Sequence, residues 1–190
     1  MKKKGKEIVL ISEIIFILVL FIAFLFLLKP IFVGFTIYES QPNLTVGKDT
    51  YIKQNLNSTN YGNAVILSLG KDSQNRESRS LIQLDVNEIP QGTILDAKLN
   101  LVVSYSSTEN NFTVKAYRLT SSWEETETTW TNKTANNLWN KGGGDYGEEI
   151  DSVVFSNSSN SYNFTITNAI RGWINGSYNN YGLILISSVS

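Results

Sequence analysis

Apolar and polar positions divide the chain into two dissimilar parts. Residues 14–28 form an unbroken apolar run inside the longer apolar stretch 8–28, whereas the rest of the chain alternates short apolar runs with turn residues. A helix of 21 residues rises about 30 Å, the thickness of a bilayer core. The pattern therefore predicts a single transmembrane anchor helix within residues 8–35.

Lysines before the apolar run set the predicted orientation. Lys2, Lys3, Lys4 and Lys6 would hold residues 1–7 in the cytoplasm by the positive-inside rule. We therefore expect a single-pass protein of the cell membrane whose carboxyl-terminal domain is extracellular. Two alternatives stay open, namely a cleaved signal peptide and processing at Lys4-Gly5, which resembles the peptidase site of archaeal pilin precursors.

Asn-x-Ser/Thr sequons agree with an extracellular location, since each is a glycan acceptor in a secreted protein. They begin at Asn43, Asn57, Asn111, Asn132, Asn157, Asn163 and Asn175.

The part after the apolar run predicts strands. Residues 36–48 are predicted to form a linker. Residues 49–190 hold eight short apolar or alternating runs, at 51–56, 64–69, 80–86, 94–105, 112–119, 150–155, 162–167 and 181–187. Such spacing indicates an antiparallel sandwich or barrel. The run 112–119 alternates, with Val114 and Ala116 on a buried face and Lys115 and Tyr117 on a wet one. Residues 167–174 predict one short helix.

Composition and charge remove several classes of function. The chain has no Cys and no His, which excludes disulfides, Cys or His metal sites and His-activated nucleophiles. Residues 36–190 hold 11 Lys and Arg against 15 Asp and Glu, a net charge of −4. A domain of that charge is not expected to bind nucleic acid.

Ordered motifs of the outer domain resemble those of a known family. They include Asn60-Tyr61-Gly62, Arg79-Ser80-Leu81-Ile82, Trp123-x-Glu125, Thr128-Thr129-Trp130 and Asn180-Tyr181-Gly182-Leu183. Over residues 49–186 the series resembles the DNRLRE domain, a jelly-roll module of bacterial and archaeal surface proteins that is also classed among carbohydrate-binding modules. The resemblance implies an all-β, antiparallel jelly-roll β-sandwich after the transmembrane helix, without catalysis. It also implies one strand beyond residue 190, so the domain is expected to lack its last strand.

Sugar binding requires planar rings for stacking and side chains that hydrogen-bond hydroxyls or carboxylates. The candidate ligand-binding residues cluster around the early strands: Lys53, Tyr61, Lys71, Arg76 and Arg79. If those strands pair as neighbours, the cations would form a shallow basic groove that suits an acidic surface polysaccharide. A second aromatic set consists of Tyr105, Trp139, Tyr146 and Tyr178.

The carboxylate side chains suggest two weaker hypotheses, catalysis and calcium binding. Glu124, Glu125 and Glu127 lie between Trp123 and Trp130, which invites a glycosidase or lyase hypothesis, although a structural corner explains them better. No cofactor is expected. A structural calcium remains an option through aspartates near turns, namely Asp49, Asp85, Asp96, Asp145 and Asp151.

The second functional hypothesis is a structural filament or adhesion subunit. Residues 181–186 are apolar on both faces, as in a central strand, yet no sequence remains to cover them. An open edge there would accept a strand from the linker of another copy, giving self-association by strand addition.

Overall fold

The structure is a computed structural model, and it describes residues 37–39, 41, 47–87, 89, 92–106, 110–156 and 159–188. The predicted cytoplasmic segment, the anchor at 8–35 and most of the linker lie outside the described residues. Among the described residues no helix is long and apolar enough to cross a membrane. Besides a 3₁₀ turn at Gln54–Leu56, the described residues form one α-helix, which has eight residues and rises about 12 Å, far less than a bilayer core. The predicted fold class is therefore corrected: the described residues form a β-rich, sandwich-like fold with one short helix.

Ten strands and one α-helix, α1 (Thr167–Ile174), form within the described residues. The strands are β1 (Lys48–Lys53), β2 (Gly70–Lys71), β3 (Glu77–Gln83), β4 (Lys98–Val102), β5 (Phe112–Leu119), β6 (Asn132–Thr134), β7 (Asn137–Leu138), β8 (Tyr146–Phe155), β9 (Ser161–Thr165) and β10 (Leu183–Ser188). The principal sheet has the order β1-β3-β10-β5-β8, with β2 added to β3, while β4 pairs with β9 and β6 with β7. Every pairing is antiparallel, as predicted.

Strand β10 lies at the centre of the principal sheet. It pairs with β3 on one side and with β5 on the other. Leu183 and Leu185 pack into one core and Ile184 into a second core on the opposite face. The prediction of a central strand is confirmed. The open edge expected beside it is not found over Leu183–Leu185, where β3 lies on one side and β5 on the other.

One face of the sheet is covered by β4, β9 and α1. Strand β9 alternates, with Tyr162 and Phe164 buried and their neighbours exposed, so a single face points into this first core. Helix α1 has the predicted bounds and buries Ile170 and Trp173. Trp173 is 6% exposed, so its ring lies in this core.

The opposite face is covered over only part of its area, by the loop segment 120–145. Trp123 is fully buried in this second core beside Ile52, Leu81 and Ile184. Its indole Nε1 donates a hydrogen bond to the Tyr181 carbonyl at 2.9 Å. The segment therefore acts as a corner that closes the sheet, as the sequence indicated.

Replacement of Trp123 by alanine should strongly destabilise the domain. The change removes a fully buried ring and leaves a cavity, so we expect the free energy of unfolding to fall by about 3–5 kcal/mol. Urea unfolding of the full chain, followed by circular dichroism, measures it. Tyr105→Ala is the control, since Tyr105 is 82% exposed and should change stability by less than about 0.5 kcal/mol. Similar losses for the two variants would contradict the closing role of Trp123.

Candidate functional site

The structure separates the predicted ligand-binding residues onto two faces of one sheet. Strands β1 and β3 are antiparallel neighbours, as the hypothesis required, with Ile52 opposite Arg79 and Lys53 opposite Ser78. Residues directly opposite one another share a face, and successive residues alternate. Lys53 and Arg79 therefore point to opposite faces, and no single groove gathers the predicted cations.

Arg76 lies in the turn between β2 and β3, where a carboxylate already engages it. Its Nε donates to Asp72 Oδ2 at 2.7 Å and its backbone N–H to Asp72 Oδ1 at 3.0 Å. These contacts, the backbone hydrogen bond first, lower the pKa of Asp72 below its usual value. Arg76 therefore stabilises the turn.

Two tyrosines and a lysine form a compact group on the β1 edge of the sheet, which we call the tyrosine–lysine cluster. The Tyr51 and Tyr61 rings stack with centroids 4.2 Å apart and planes 20° from parallel. The Lys53 Nζ lies 5.3 Å from the Tyr51 centroid and 5.7 Å from the Tyr61 centroid, within the range of a cation–π contact. The structure thus brings Lys53 and Tyr61 together, with Tyr51 as a partner that the sequence did not single out.

The loop that carries Tyr61 is fastened from both sides. Asn60 Nδ2 donates to the carbonyls of Glu125 and Thr128, each at 2.7 Å, while Asn60 Oδ1 accepts from the Gly62 N–H. A Cβ atom at Gly62 would lie 2.2 Å from the Glu125 carbonyl oxygen, so only glycine allows this approach. The position of Tyr61 is therefore set before any ligand arrives.

The charge of Lys53 has no acidic partner among the described residues. The ion pairs that they form involve other cations, namely Lys48, Lys71, Arg76, Arg79, Lys98, Lys115 and Lys133. Burial, and then the neighbouring Tyr61, raises the pKa of Tyr51, so its hydroxyl keeps its proton at neutral pH. The cluster thus offers an ammonium group and hydroxyl donors next to aromatic rings.

The other predicted cations, Lys71 and Arg79, lie on the opposite face, at the border of the part that segment 120–145 covers, and Arg79 contacts that segment at Gly143. Glu77 accepts from Arg79 Nε at 2.8 Å and lies 3.9 Å from Lys71 Nζ. Across the sheet, Lys115 Nζ donates to Glu149 Oε2 at 2.8 Å. We call this surface the open face and define it by Lys71, Glu77, Arg79, Lys115, Tyr117, Glu149 and Ile186.

Aromatic rings border the open face at one end. The Arg79 guanidinium lies 4.8 Å from the Trp130 ring and 5.7 Å from the Tyr146 ring. Its Nη1 donates to the Gly143 carbonyl at 2.7 Å, and a Cβ at Gly143, whose φ is +90°, would lie 2.7 Å from the Trp130 ring. Arg79, only 9% exposed, therefore holds the wall of the face together.

The structure does not bring the second aromatic set together at one site. Its members are Tyr105, Trp139, Tyr146 and Tyr178. Trp139 is buried and donates from Nε1 to the Thr129 carbonyl. Tyr178 is half-buried, with Arg118 4.3 Å from its ring centroid and its Cζ close to Gly172, and it lines a groove beside β8. Tyr105 is exposed. Tyr146 alone joins one of the two candidate surfaces.

The glutamates proposed for catalysis serve the loops. Glu125 Oε1 accepts from the Asp49 N–H at 2.8 Å, and Glu127 Oε2 accepts from the Ala135 N–H at 2.8 Å. Glu124 pairs with Lys48. These contacts match the expected corner, since each of the three carboxylates is engaged by a loop amide or a lysine.

The aspartates considered for calcium do not converge. Asp145 is buried and accepts from Ser121 Oγ, Asn140 Nδ2 and the Lys141 N–H. In the part of the chain that the structure describes, no group of three or more acidic side chains is placed to hold a metal ion.

A groove of about 470 Å³ lies beside the edge of β8, and it is acidic. Glu148, Glu149 and Asp151 line it from β8, against Arg171 from helix α1. Arg171 is already engaged, since its Nε donates to the Ile94 carbonyl at 2.9 Å. An anionic ligand would be repelled there.

Comparison with known families adds a finding about residues 40–190 as a whole. Residues 40–190 match the sequence model of carbohydrate-binding module family 96. No curated protein matches the chain. The match covers both candidate surfaces and supports a carbohydrate-binding module, whereas the narrower DNRLRE name stays a prediction.

The contact between Asp49 and Glu125 predicts an unusual pH dependence of stability. Burial, then the Glu125 charge, raises the pKa of Asp49 above its usual 3.8. Folding therefore gains from the Asp49 proton below about pH 3.8, and this contribution is lost as the pH rises through the folded-state pKa. Asp49→Asn should be more stable than the wild type at pH 7, with the difference vanishing near pH 3 in urea unfolding experiments.

The matched control for this prediction is Asp96→Asn. A hydrogen bond from Lys98 lowers the pKa of Asp96, so this carboxylate stabilises the fold above about pH 3.8 and loses that effect as the pH falls. Asp96→Asn should lower stability at pH 7. Equal and same-sign changes in the two variants would refute the effect of burial at Asp49.

Proposed function

The chain belongs to carbohydrate-binding module family 96, and from that premise we propose that it binds an acidic, uronate-containing polysaccharide through the tyrosine–lysine cluster, without catalysis. The observation that carries the proposal is the Lys53 ammonium group beside two stacked tyrosines, with no carboxylate partner among the described residues.

The chemistry of the cluster fits a uronate. A carboxylate on a sugar ring forms a charge-assisted hydrogen bond with an ammonium group, and the apolar face of the ring packs on an aromatic side chain. Lys53 and Tyr61 supply these two contacts within one rigid unit, since Tyr61 is fixed by the Asn60 hydrogen bonds. Preorganisation reduces the entropy that binding would otherwise cost.

The charges elsewhere on the domain favour the tyrosine–lysine cluster as the binding site for an acidic polysaccharide. Lys71, Arg79 and Lys115 are neutralised by glutamates, and the groove beside β8 is acidic. Lys53, in contrast to these three cations, presents its charge without an acidic partner among the described residues. This contrast supports the acidic ligand, and the loop contacts of Glu125 and Glu127 support the absence of catalysis.

A location outside the cell is part of the proposal, because polysaccharides of that kind lie there and the sequons agree with it. Protease treatment of intact cells tests this location. Digestion of the outer domain without lysis is expected, and full protection would contradict it.

Lys53→Ala should weaken binding to polygalacturonate by about 10–100-fold, the value of a lost charge-assisted hydrogen bond. Tyr61→Ala, which removes the stacking ring, should weaken it by about 2–10-fold. Affinity electrophoresis of the full chain in gels containing polygalacturonate measures both changes. The wild-type affinity should fall with added salt, and less steeply in Lys53→Ala.

Lys98→Ala is the matched control for this series. Lys98 is an exposed lysine on β4 that pairs with Asp96 and has no contact with an aromatic ring of the cluster among those that the structure records. It should bind as the wild type does. The proposal fails if wild type is not retarded by polygalacturonate, or if Lys53→Ala and Lys98→Ala weaken binding equally.

A further inference from the structure

We infer that the open face is a second glycan site, which takes a neutral, hydroxyl-rich polysaccharide, and that the module therefore binds two different glycans on opposite faces of one sheet. The inference shares with the proposed function only the class of ligand, because its residues and its chemistry are different.

The open face presents donors and acceptors in pairs. Lys115 donates to Glu149, whose Oε2 also lies 3.4 Å from the Tyr117 hydroxyl. Glu77 lies between Lys71 and Arg79 in the same way. A carboxylate accepts from neighbouring hydroxyls while an adjacent ammonium group donates to them. Such pairs match the vicinal hydroxyls of a neutral sugar.

An apolar strip lies between these two polar pairs. Ile186 is opposite Lys115 in the β10–β5 register and is half-buried. Tyr117 and Tyr146 follow, with ring centroids 4.9 Å apart and planes tilted by 46°. A sugar ring has an apolar face and hydroxyl groups around its edge. The open face offers apolar atoms flanked by hydrogen-bonding groups, the combination found in binding sites for small ligands.

The charges select against an acidic sugar at this face. Both carboxylates, Glu77 and Glu149, would face the ligand, and their cation partners are already engaged. A uronate would meet like charge there, whereas a neutral sugar meets only hydrogen-bonding groups.

Separation of the two surfaces follows from the register of β1 and β3. Lys53 shares a face with Ser78, while Arg79 shares the opposite face with Ile52. The sheet itself lies between the two sites, so one polysaccharide chain on each face does not obstruct the other. The module is then a bridge between an acidic and a neutral glycan.

Affinity electrophoresis of the full chain tests the second site. The gels contain either polygalacturonate or one of three neutral polymers, namely dextran, glucomannan and galactan. We expect retardation of the wild type by at least one neutral polymer. Glu149→Gln should weaken that neutral binding about tenfold and leave polygalacturonate binding unchanged, while Lys53→Ala should do the reverse. Tyr117→Ala should weaken neutral binding as Glu149→Gln does. If Tyr117→Ala unfolds, the binding of Glu149→Gln, which keeps the side-chain shape, is the deciding measurement.

Each outcome separates the inference from the proposed function. No retardation by the neutral polymers, with polygalacturonate binding intact, overturns the second site alone. Loss of both activities in Lys53→Ala indicates a single site and also overturns it. No retardation in any gel overturns both claims. Bridging has a direct readout: polygalacturonate beads should capture the fluorescently labelled neutral polymer only when the module is present, and Glu149→Gln should reduce this capture.

Discussion

Burial of β10 on both faces is the constraint from which the rest of the fold follows. Because side chains alternate along a strand, Leu183 and Leu185 need cover on one side of the sheet and Ile184 on the other. Strands β4 and β9 with helix α1 supply the first cover. Segment 120–145, through the fully buried Trp123, supplies the second. The second cover is shorter than the sheet, and the open face is what it leaves exposed.

Local patterns in the sequence predicted the elements that depend on periodicity. The alternation in residues 112–119 identified both faces of β5, and residues 167–174 matched helix α1 in its bounds. The two-faced apolar run at 181–187 predicted a central strand, and β10 is one. Its neighbours were not predicted, since Ile82 of β3 pairs with Leu183 from about a hundred residues earlier. Pairing over such distances leaves no local signal, so an open edge was expected where β3 lies beside β10.

In the candidate site, too, contacts between side chains far apart in the sequence could not be predicted. Lys53 and Arg79 seemed to belong together because their strands pair, but the alternation of side chains sends them to opposite faces. The contact of Tyr61 with Tyr51 depends on Asn60, which reaches carbonyls 65 and 68 residues further along the chain. The contact of Arg79 with Gly143 spans 64 residues. Only the wet face of β5, with Lys115 and Tyr117, was readable from the sequence.

Independence of the two surfaces has an electrostatic basis as well as a geometric one. Exposed charges are screened over about 8 Å at physiological ionic strength, and the alternation of side chains sends Lys53 to one face of the sheet and Glu77 and Glu149 to the other. Glu77 and Glu149 on the open face therefore offset little of the Lys53 charge on the other side. Within the open face, by contrast, each glutamate lies in direct contact with a cation. A domain of net negative charge can thus present an uncompensated ammonium group on one face and a neutralised, hydrogen-bonding surface on the other, because the sheet keeps the two sets of charges apart.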